Sequence, residues 1–145
     1  MKATQHPPTG VQVTPADLLR MAALYLLRHG WTQGRYYATT DTPTPPACAA
    51  GAIGIASAGH RVEHFTQLDP DALADYLAAL AAFVDYLDAS HPMFLVDDDG
   101  SVIDEHTSPY SWNDDPTRTT EQVITALQAA AHEWDRLHTT GGENR

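Results

Sequence analysis

The chain has 145 residues, 43% of them hydrophobic, which is enough for one globular domain with a sizeable core. Its 19 acidic residues oppose eight Lys and Arg residues, and the net charge of -11 disfavours binding to nucleic-acid phosphates or to an anionic membrane surface. A single cysteine excludes an internal disulfide. Because neither a secretory signal nor an apolar run of about 20 residues is present, we expect a soluble, cytoplasmic protein.

The first predicted element is a helix that follows a polar N-terminal segment. Residues 1–13 are polar and contain two prolines, so we expect a flexible arm. Thr14 is suited to cap the helix, Asp17 to its first turn and Gly30 to its end. The apolar residues that recur at helical spacing predict its buried face: Leu18, Leu19, Ala22, Tyr25 and Leu26.

A long connection and a helix of small residues come next. Residues 31–46 are too many for an unstructured loop in a compact domain, so we expect the aromatic residues to fold back and the segment to hide a short strand pair. Residues 46–58 are small and apolar on almost every side, which predicts a central helix. Gly51 and Gly54 each cost about 1 kcal/mol relative to Ala in a helix, which predicts close approach of a neighbouring helix there.

The second half of the chain predicts two longer helices and a hairpin. The third helix begins at Asp69 and ends at Ser90, and Asp99-Gly100 between two apolar runs predicts a β-hairpin over residues 93–104. Residues 105–118 are expected to form a loop, after which Thr119 and Gln122 offer a capping box for the last helix. Four-three spacing predicts the packing seams of these two helices: Leu73, Leu77, Leu80, Val84 and Leu87 in the third, and Val123, Leu127, Ala130, Trp134 and Leu137 in the last.

These elements predict a mainly α protein. We expect a single compact domain of about four helices with a small β-hairpin over residues 14–138, followed by a flexible tail over residues 139–145.

Four short motifs carry a family resemblance. They are Gly-Trp with a nearby Gln-Gly (residues 30–34), Cys-x-x-Gly-Ala (48–52), Trp-Asn-Asp (112–114) and Arg-Thr-x-Glu-x-Val (118–123). In these motifs the chain resembles an uncharacterised domain family of actinobacteria and their phages. The resemblance implies kinship but no activity, cofactor or substrate.

Cys48 is the candidate nucleophile. We place it near the third position of its helix, where backbone N–H groups and the helix dipole lower a thiol pKa. His60, His64, His91 and His106 are the available bases. With His106 as the base and Asn113 or Asp114 to orient it, Cys48 would follow the Cys-His-Asn/Asp logic of cysteine hydrolases, and Gln33 could donate to an oxyanion. The simpler interpretation, which we favour, is that Cys48 packs as a small hydrophobic residue.

Two further patterns suggest metals but fit poorly. Residues 60–64 match the H-x-x-E-H motif of inverted zincins, but they lie between two helices and lack an evident third ligand. Residues 97–100 suggest a calcium loop, yet aligning Gly100 with the invariant Gly puts Leu95 and His106 at ligand positions that require oxygen. We therefore expect no metal and no cofactor.

Residues around two tryptophans are the candidate binding site. Trp112 is expected to anchor the fold, with Asn113 and Asp114 bonding nearby backbone, and Arg118 to pair with Asp115. A polar pocket for a small ligand is the alternative, and its candidate residues are Trp31, Gln33, Trp112, Asn113 and Asp114.

Two functions remain open at this point. The first is a small acidic binding or regulatory module that acts through contact with an unidentified protein partner and is linked to phages, as the family resemblance implies. The second is a cysteine-dependent hydrolase or transferase that uses Cys48. The acidity of the chain and the absence of a complete catalytic motif favour the first.

Overall fold

The structure is a computed structural model that describes residues 12–91, 95–104 and 107–138. Within these ranges the chain forms five α-helices: α1 (Pro15–His29), α2 (Ala49–Ala58), α3 (Pro70–Ser90), α4 (Pro109–Asn113) and α5 (Thr120–His138). A 3₁₀ turn, Phe65–Gln67, precedes α3. The expected mainly helical class is confirmed.

Two very short strands, β1 (Leu95–Val96) and β2 (Val102–Asp104), pair antiparallel with an irregular register. Between them the Asp97 carboxylate accepts the N–H groups of Asp99 and Ser101, each at 2.9 Å. The first two residues of the expected hairpin, 93 and 94, lie outside the described residues, so the hairpin stays a prediction. The expected tail over 139–145 and all but two residues of the expected arm lie outside them too.

The helix starts follow the capping signals in the sequence. Thr14 and Asp17 form a reciprocal capping box at α1, with both bonds at 3.1 Å. The Asp69 carboxylate accepts the Ala72 N–H at the start of α3. Thr119 and Gln122 form the expected box before α5, at 3.0 and 3.2 Å. Side chains that satisfy otherwise unpaired N–H groups therefore fix where these three helices begin.

Four helices, α1, α2, α3 and α5, enclose one core. α1 packs against both α5 and α2, while α3 closes the other side of the core. The largest apolar side chains buried between the helices are Leu19, Leu26, Ile53, Phe83, Leu87, Trp112, Val123 and Leu127. The predicted buried face of α1 is confirmed, with Tyr25 at its edge bonding the Pro45 carbonyl through its hydroxyl.

The predicted seam of α3 is wrong. Its buried face consists of Ala72, Tyr76, Ala79, Phe83 and Leu87, and only the last of these belongs to the expected seam. Leu77, which was expected to pack inward, is 53% exposed. The two aromatic rings carry more apolar area than the leucines, so the helix turns the face that holds them toward the core. In α5 the first three seam residues are buried as expected, but Leu137 is 57% exposed.

The expected start of α2 is also wrong, by three residues. Ala47 is extended and bridges to both Trp31 and Tyr37, so the helix begins only at Ala49 with Cys48 as its N-cap. Both are isolated bridges to Ala47, which follows the long connection, and the short strand pair expected within residues 31–46 does not form. The helix is central, as predicted.

The glycines of α2 do not contact a neighbouring helix, as the sequence had predicted, but residues of two connecting segments. A Cβ added at Gly51 would lie 2.5 Å from the backbone oxygen of Tyr36, and one added at Gly54 would lie 2.9 Å from the Phe65 ring. The long connection and the 3₁₀ turn are therefore what approach α2 closely.

The segment 105–118, expected to be a loop, contains α4. Ser108 caps this helix by accepting the Ser111 N–H at 3.1 Å, and Pro109 occupies its first position. A capping residue followed by Pro is the same start signal that is found at α1 and α3. This short helix delivers Trp112 and Asn113 into the interior.

Candidate functional site

Asn113, at the end of α4, is the centre of the motif residues. Its Oδ1 accepts the indole N–H of Trp31 at 2.8 Å and the backbone N–H of Ala49 at 3.0 Å. Its Nδ2 donates to the Thr32 carbonyl at 3.2 Å and to the Asp114 carboxylate at 2.9 Å. An amide side chain offers two acceptor and two donor positions, and all four are filled here. Asn113 therefore joins three separate segments of the chain.

Gln33 and Asp114 extend this cluster toward the surface. The Gln33 side-chain amide donates to the carbonyls of Asn113 and Asp115, at 3.0 and 2.8 Å. The Asp114 carboxylate also accepts the Gly34 N–H at 2.9 Å. Four of the five expected binding residues, Trp31, Gln33, Asn113 and Asp114, thus lie together. Most of their polar groups are used to hold the connection after α1 against α4.

Trp112, the fifth expected binding residue, lies apart from this cluster in the core. Its ring meets Phe83 edge to face with the centres 5.8 Å apart, and the Arg118 guanidinium carbon lies 4.1 Å from its centre. Arg118 also donates from Nε to the Trp112 carbonyl at 2.9 Å. The expected Arg118–Asp115 pair exists but is long, at 3.9 Å. Trp112 is an anchor for α4, with Arg118 as a cover.

The environment of Cys48 favours the neutral thiol. Burial is the main reason that its pKa is raised, and the Asp114 carboxylate adds to the effect. The Gly51 N–H, 3.3 Å from Sγ, opposes it. The Ala49 N–H, a further donor at this helix start, is already bonded to Asn113. Cys48 is the N-cap of α2, and burial outweighs the effect of the helix N-terminus on the pKa of its thiol.

A cavity of about 350 Å³ opens beside this thiol. We call it the Cys48 cavity; its lining residues are Gly34, Arg35, Tyr36, Cys48, Tyr110, Asn113 and Asp114. Cys48 and Asn113, two residues of the proposed catalytic set, both line it. The third, His106, lies outside the described residues, and no histidine appears among the described lining residues.

Aromatic rings form one wall of the Cys48 cavity. Tyr36 and Tyr110 meet edge to face with ring centres 6.0 Å apart, and their hydroxyl oxygens are 3.3 Å apart. Phe65 packs on Tyr36 and stacks on Tyr76 at 4.3 Å. Burial raises the pKa of both Tyr36 and Tyr76, which keeps these phenols neutral. Arg35, Tyr36 and Tyr110 were not predicted as site residues, because only the tertiary fold brings them together at this cavity.

The metal-like motifs are parts of polar connections. Residues 60–64 are not helical, since α2 ends at Ala58, and Glu63 pairs with Arg61 at 3.2 Å. The Arg61 guanidinium also donates to the carbonyls of Thr40 and Thr42. In the part of the chain that the structure describes, no group of three or more His, Cys, Asp or Glu side chains could hold a metal ion.

A groove of about 450 Å³ runs between α3 and α5. We call it the α3–α5 groove; its apolar lining residues are Pro15, Ala78, Ala81, Ala82, Tyr86, Ala89, Ala130, Trp134 and Leu137. The polar ones are Asp85, Ser90, Glu133 and His138. This groove was not predicted from the sequence, because the leucine spacing of α3 indicates a seam that packs against a neighbouring helix. The groove alanines of α3, at positions 78, 81, 82 and 89, were the available signal.

No helix within the described ranges is long and apolar enough to cross a membrane. The fold and the site define a mainly α-helical protein in which the buried Asn113 joins three segments, with a small cavity beside Cys48 and a groove between α3 and α5.

The comparisons give it a family. The model of a family of unknown function, DUF6197, matches residues 10–133, and the chain belongs to that family. No curated protein matches the chain. No solved structure matches it either.

Proposed function

We propose that the protein is a non-catalytic binding module that docks a basic, amphipathic helix of a partner protein in the α3–α5 groove. The observation that carries this proposal is the groove itself: an apolar floor, open to solvent, with carboxylates at its rim. An amphipathic helix that lays its apolar face into such a groove is a common mode of protein recognition.

The floor of the groove supports a helical occupant. Ala81, Ala82 and Ala130 are short side chains, so they leave a trough between the two helix backbones. Trp134 and Leu137 add larger apolar side chains to the lining, and Leu137 is 57% exposed. Covering these groups would remove apolar area from water, at about 25 cal/mol per Å².

The two carboxylates that line the groove favour a basic partner rather than a second copy of this chain. Asp85 and Glu133 both line the groove, and the whole chain has a net charge of -11. Two copies placed groove to groove would bring these carboxylates together, which is unfavourable. Glu133 already bonds Arg136, whereas Asp85 has no ion pair among the described residues. Asp85 is therefore the carboxylate best placed to pair with a lysine of the partner.

The rival proposal, a hydrolase or transferase that uses Cys48, has less support. Its thiol has a raised pKa, and the nearby Ala49 and Gly51 N–H groups already have acceptors. A nucleophilic cysteine requires the opposite arrangement, with a depressed pKa and free donors for an oxyanion.

The proposal is tested with a synthetic helix as the probe. We would label a peptide of about 18 residues, built from Leu on one face and Lys on the other, and measure its binding by fluorescence anisotropy. The reference peptide keeps the Leu positions and replaces Lys with Glu. We expect saturable binding of the Lys peptide only, and weaker binding as salt rises.

Variants locate the site. Ala81→Trp fills the groove, and we expect it to weaken binding at least roughly tenfold, or ~1.4 kcal/mol. Ala74→Trp is the matched control, because Ala74 is also an exposed alanine of α3 but does not line the groove. Asp85→Lys should likewise weaken binding. Equal binding of the two peptides, or equal effects of the two tryptophan variants, would overturn the proposal.

A further inference from the structure

We propose that the Cys48 cavity binds a small zwitterion of the amino-acid class, with the ligand carboxylate on Arg35 and its ammonium group on Asp114. This inference is independent of the α3–α5 groove, which shares no residue with the cavity.

The charges of the cavity suit a ligand that carries both signs. Arg35 and Asp114 both line it, yet no ion pair joins them, and Arg35 has no ion-pair partner elsewhere in the described part of the chain. Oδ1 of Asp114 accepts both hydrogen bonds that this carboxylate receives from described residues, which leaves Oδ2 available. A guanidinium pairs well with a carboxylate, and a carboxylate pairs well with an ammonium group.

The start of α2 does not provide a second anion site. Its Ala49 N–H is bonded to Asn113, and its Ala50 and Gly51 N–H groups are directed at the Cys48 sulfur. The positive charge in the cavity therefore comes from Arg35, and Asp114 balances it. A ligand with two or more negative charges would face the Asp114 carboxylate without a second cation to pair with, so the cavity disfavours phosphate-like ligands.

The size and walls of the cavity suit a compact ligand with an apolar body. About 350 Å³ lies at the lower end of the range for small-molecule sites. Cys48 and Asn113, 5% and 1% exposed, close the inner end with groups that the fold holds rigidly. The rings of Tyr36 and Tyr110 offer apolar surface along the side, together with two neutral hydroxyl groups.

The test begins with the standard L-amino acids, added one at a time at millimolar concentration and followed by isothermal titration calorimetry. We expect saturable binding of at least one of them. Its matched analogues, the amine without the carboxylate and the acid without the ammonium group, should each bind at least roughly tenfold more weakly. For L-phenylalanine these analogues are phenethylamine and 3-phenylpropionate.

Two charge variants assign the groups. Arg35→Gln should bring the affinity for the amino acid down to that of its amine analogue. Asp114→Asn keeps an oxygen for the Gly34 N–H and should bring the affinity down to that of the acid analogue. Arg28→Gln, on the exposed end of α1 and outside the cavity, is the matched control and should bind as the wild type does.

Three results would overturn the inference: no saturable binding by any standard amino acid, equal affinity for the zwitterion and both analogues, or amino-acid affinity unchanged in both charge variants. Urea unfolding of each variant shows that a loss of binding reflects the removed charge rather than an unfolded chain.

Discussion

The indole N–H of Trp31 donates to the side-chain oxygen of Asn113 at 2.8 Å, across 82 positions of the sequence. The same oxygen accepts the N–H of Ala49, so the end of α1, the start of α2 and the end of α4 meet at one atom. Asn113 is 1% exposed, and water cannot replace these bonds. The Gly-Trp, Cys-x-x-Gly-Ala and Trp-Asn-Asp motifs therefore belong to one hydrogen-bonded cluster around Asn113.

Replacing Asn113 should destabilise the fold strongly. Asn113→Ala removes four hydrogen bonds and leaves the buried Ala49 N–H and the Trp31 indole without an acceptor, so we expect a loss of about 3 kcal/mol in the free energy of unfolding. Urea unfolding followed by circular dichroism measures it. Gln33→Ala is the control, and it should cost less than about 1 kcal/mol because Gln33 is exposed. Similar losses for the two variants would contradict the central role of Asn113.

Gly51→Ala should destabilise the protein even though Ala favours helix. The added methyl group would lie 2.5 Å from the Tyr36 carbonyl oxygen, which is backbone and is held by the Cys48 N–H at 3.0 Å. We expect a net loss of about 2 kcal/mol, after a gain of about 1 kcal/mol in helix propensity. Thermal unfolding is the measurement.

Gly54→Ala is the matched comparison within the same helix. Its methyl group would meet the partly exposed Phe65 ring at 2.9 Å, and a ring can shift more easily than a backbone oxygen. The loss should therefore be smaller than for Gly51→Ala. A Gly51→Ala protein as stable as the wild type would contradict this account, because the connection before α2 could then move aside without any loss of stability.

Local signals predicted most of the helices, because caps and turns act between residues close in sequence. Thr14, Asp69 and Thr119 begin helices as their types predict. Which side of α3 faces the core could not be predicted from such local signals. Tyr76 and Phe83 face inward because they pack against Phe65 and Trp112, and these contacts exist only in the folded chain.

The candidate site residues, too, were predictable from the sequence only in part. The motif spacing singled out Trp31, Gln33, Asn113 and Asp114, and the fold does join them. Sequence could not show that their polar groups would be used on one another. The Tyr36–Tyr110 wall joins residues 74 positions apart, and neither local pattern nor composition indicates such a contact.

Arg118→Lys should weaken the packing of α4 although it keeps the charge. The guanidinium lies 4.1 Å from the Trp112 ring centre and donates from Nε to the Trp112 carbonyl, and an ammonium group cannot make both contacts. We expect a loss of about 1–2 kcal/mol in urea unfolding. Arg136→Lys, which changes an exposed pair with Glu133, should be indistinguishable from the wild type. Equal stability of the two variants would mean that the contacts of Arg118 with Trp112 do not stabilise the fold.

The Cys48 thiol should react slowly with iodoacetamide at about pH 8. Burial raises its pKa above the ordinary value of 9.0, and the thiolate is the reactive form. We expect alkylation of the folded protein to be at least roughly 100-fold slower than in urea, with a pH midpoint above that of the unfolded chain. Rapid alkylation near pH 6 would support the rival enzyme proposal.

The raised pKa of Cys48 also makes the stability of the protein depend on pH. The folded state holds the Cys48 proton more tightly than the unfolded state does, so this stabilisation is complete below the unfolded pKa. It is lost as the pH rises from that value through the folded pKa. Tyr37, whose pKa burial also raises, acts in the same direction at higher pH. Stability should therefore fall on the alkaline side.

The most direct test of the proposed function is a ¹H–¹⁵N NMR titration of the protein with the Leu/Lys peptide. We expect the largest amide shifts within residues 78–90 of α3 and 130–138 of α5, the segments that contain the lining residues of the α3–α5 groove. The exposed apolar residues Met21, Leu24 and Leu27 of α1 offer the peptide a competing surface. Shifts centred on that face of α1, or no shifts at saturating peptide, would contradict docking in the groove.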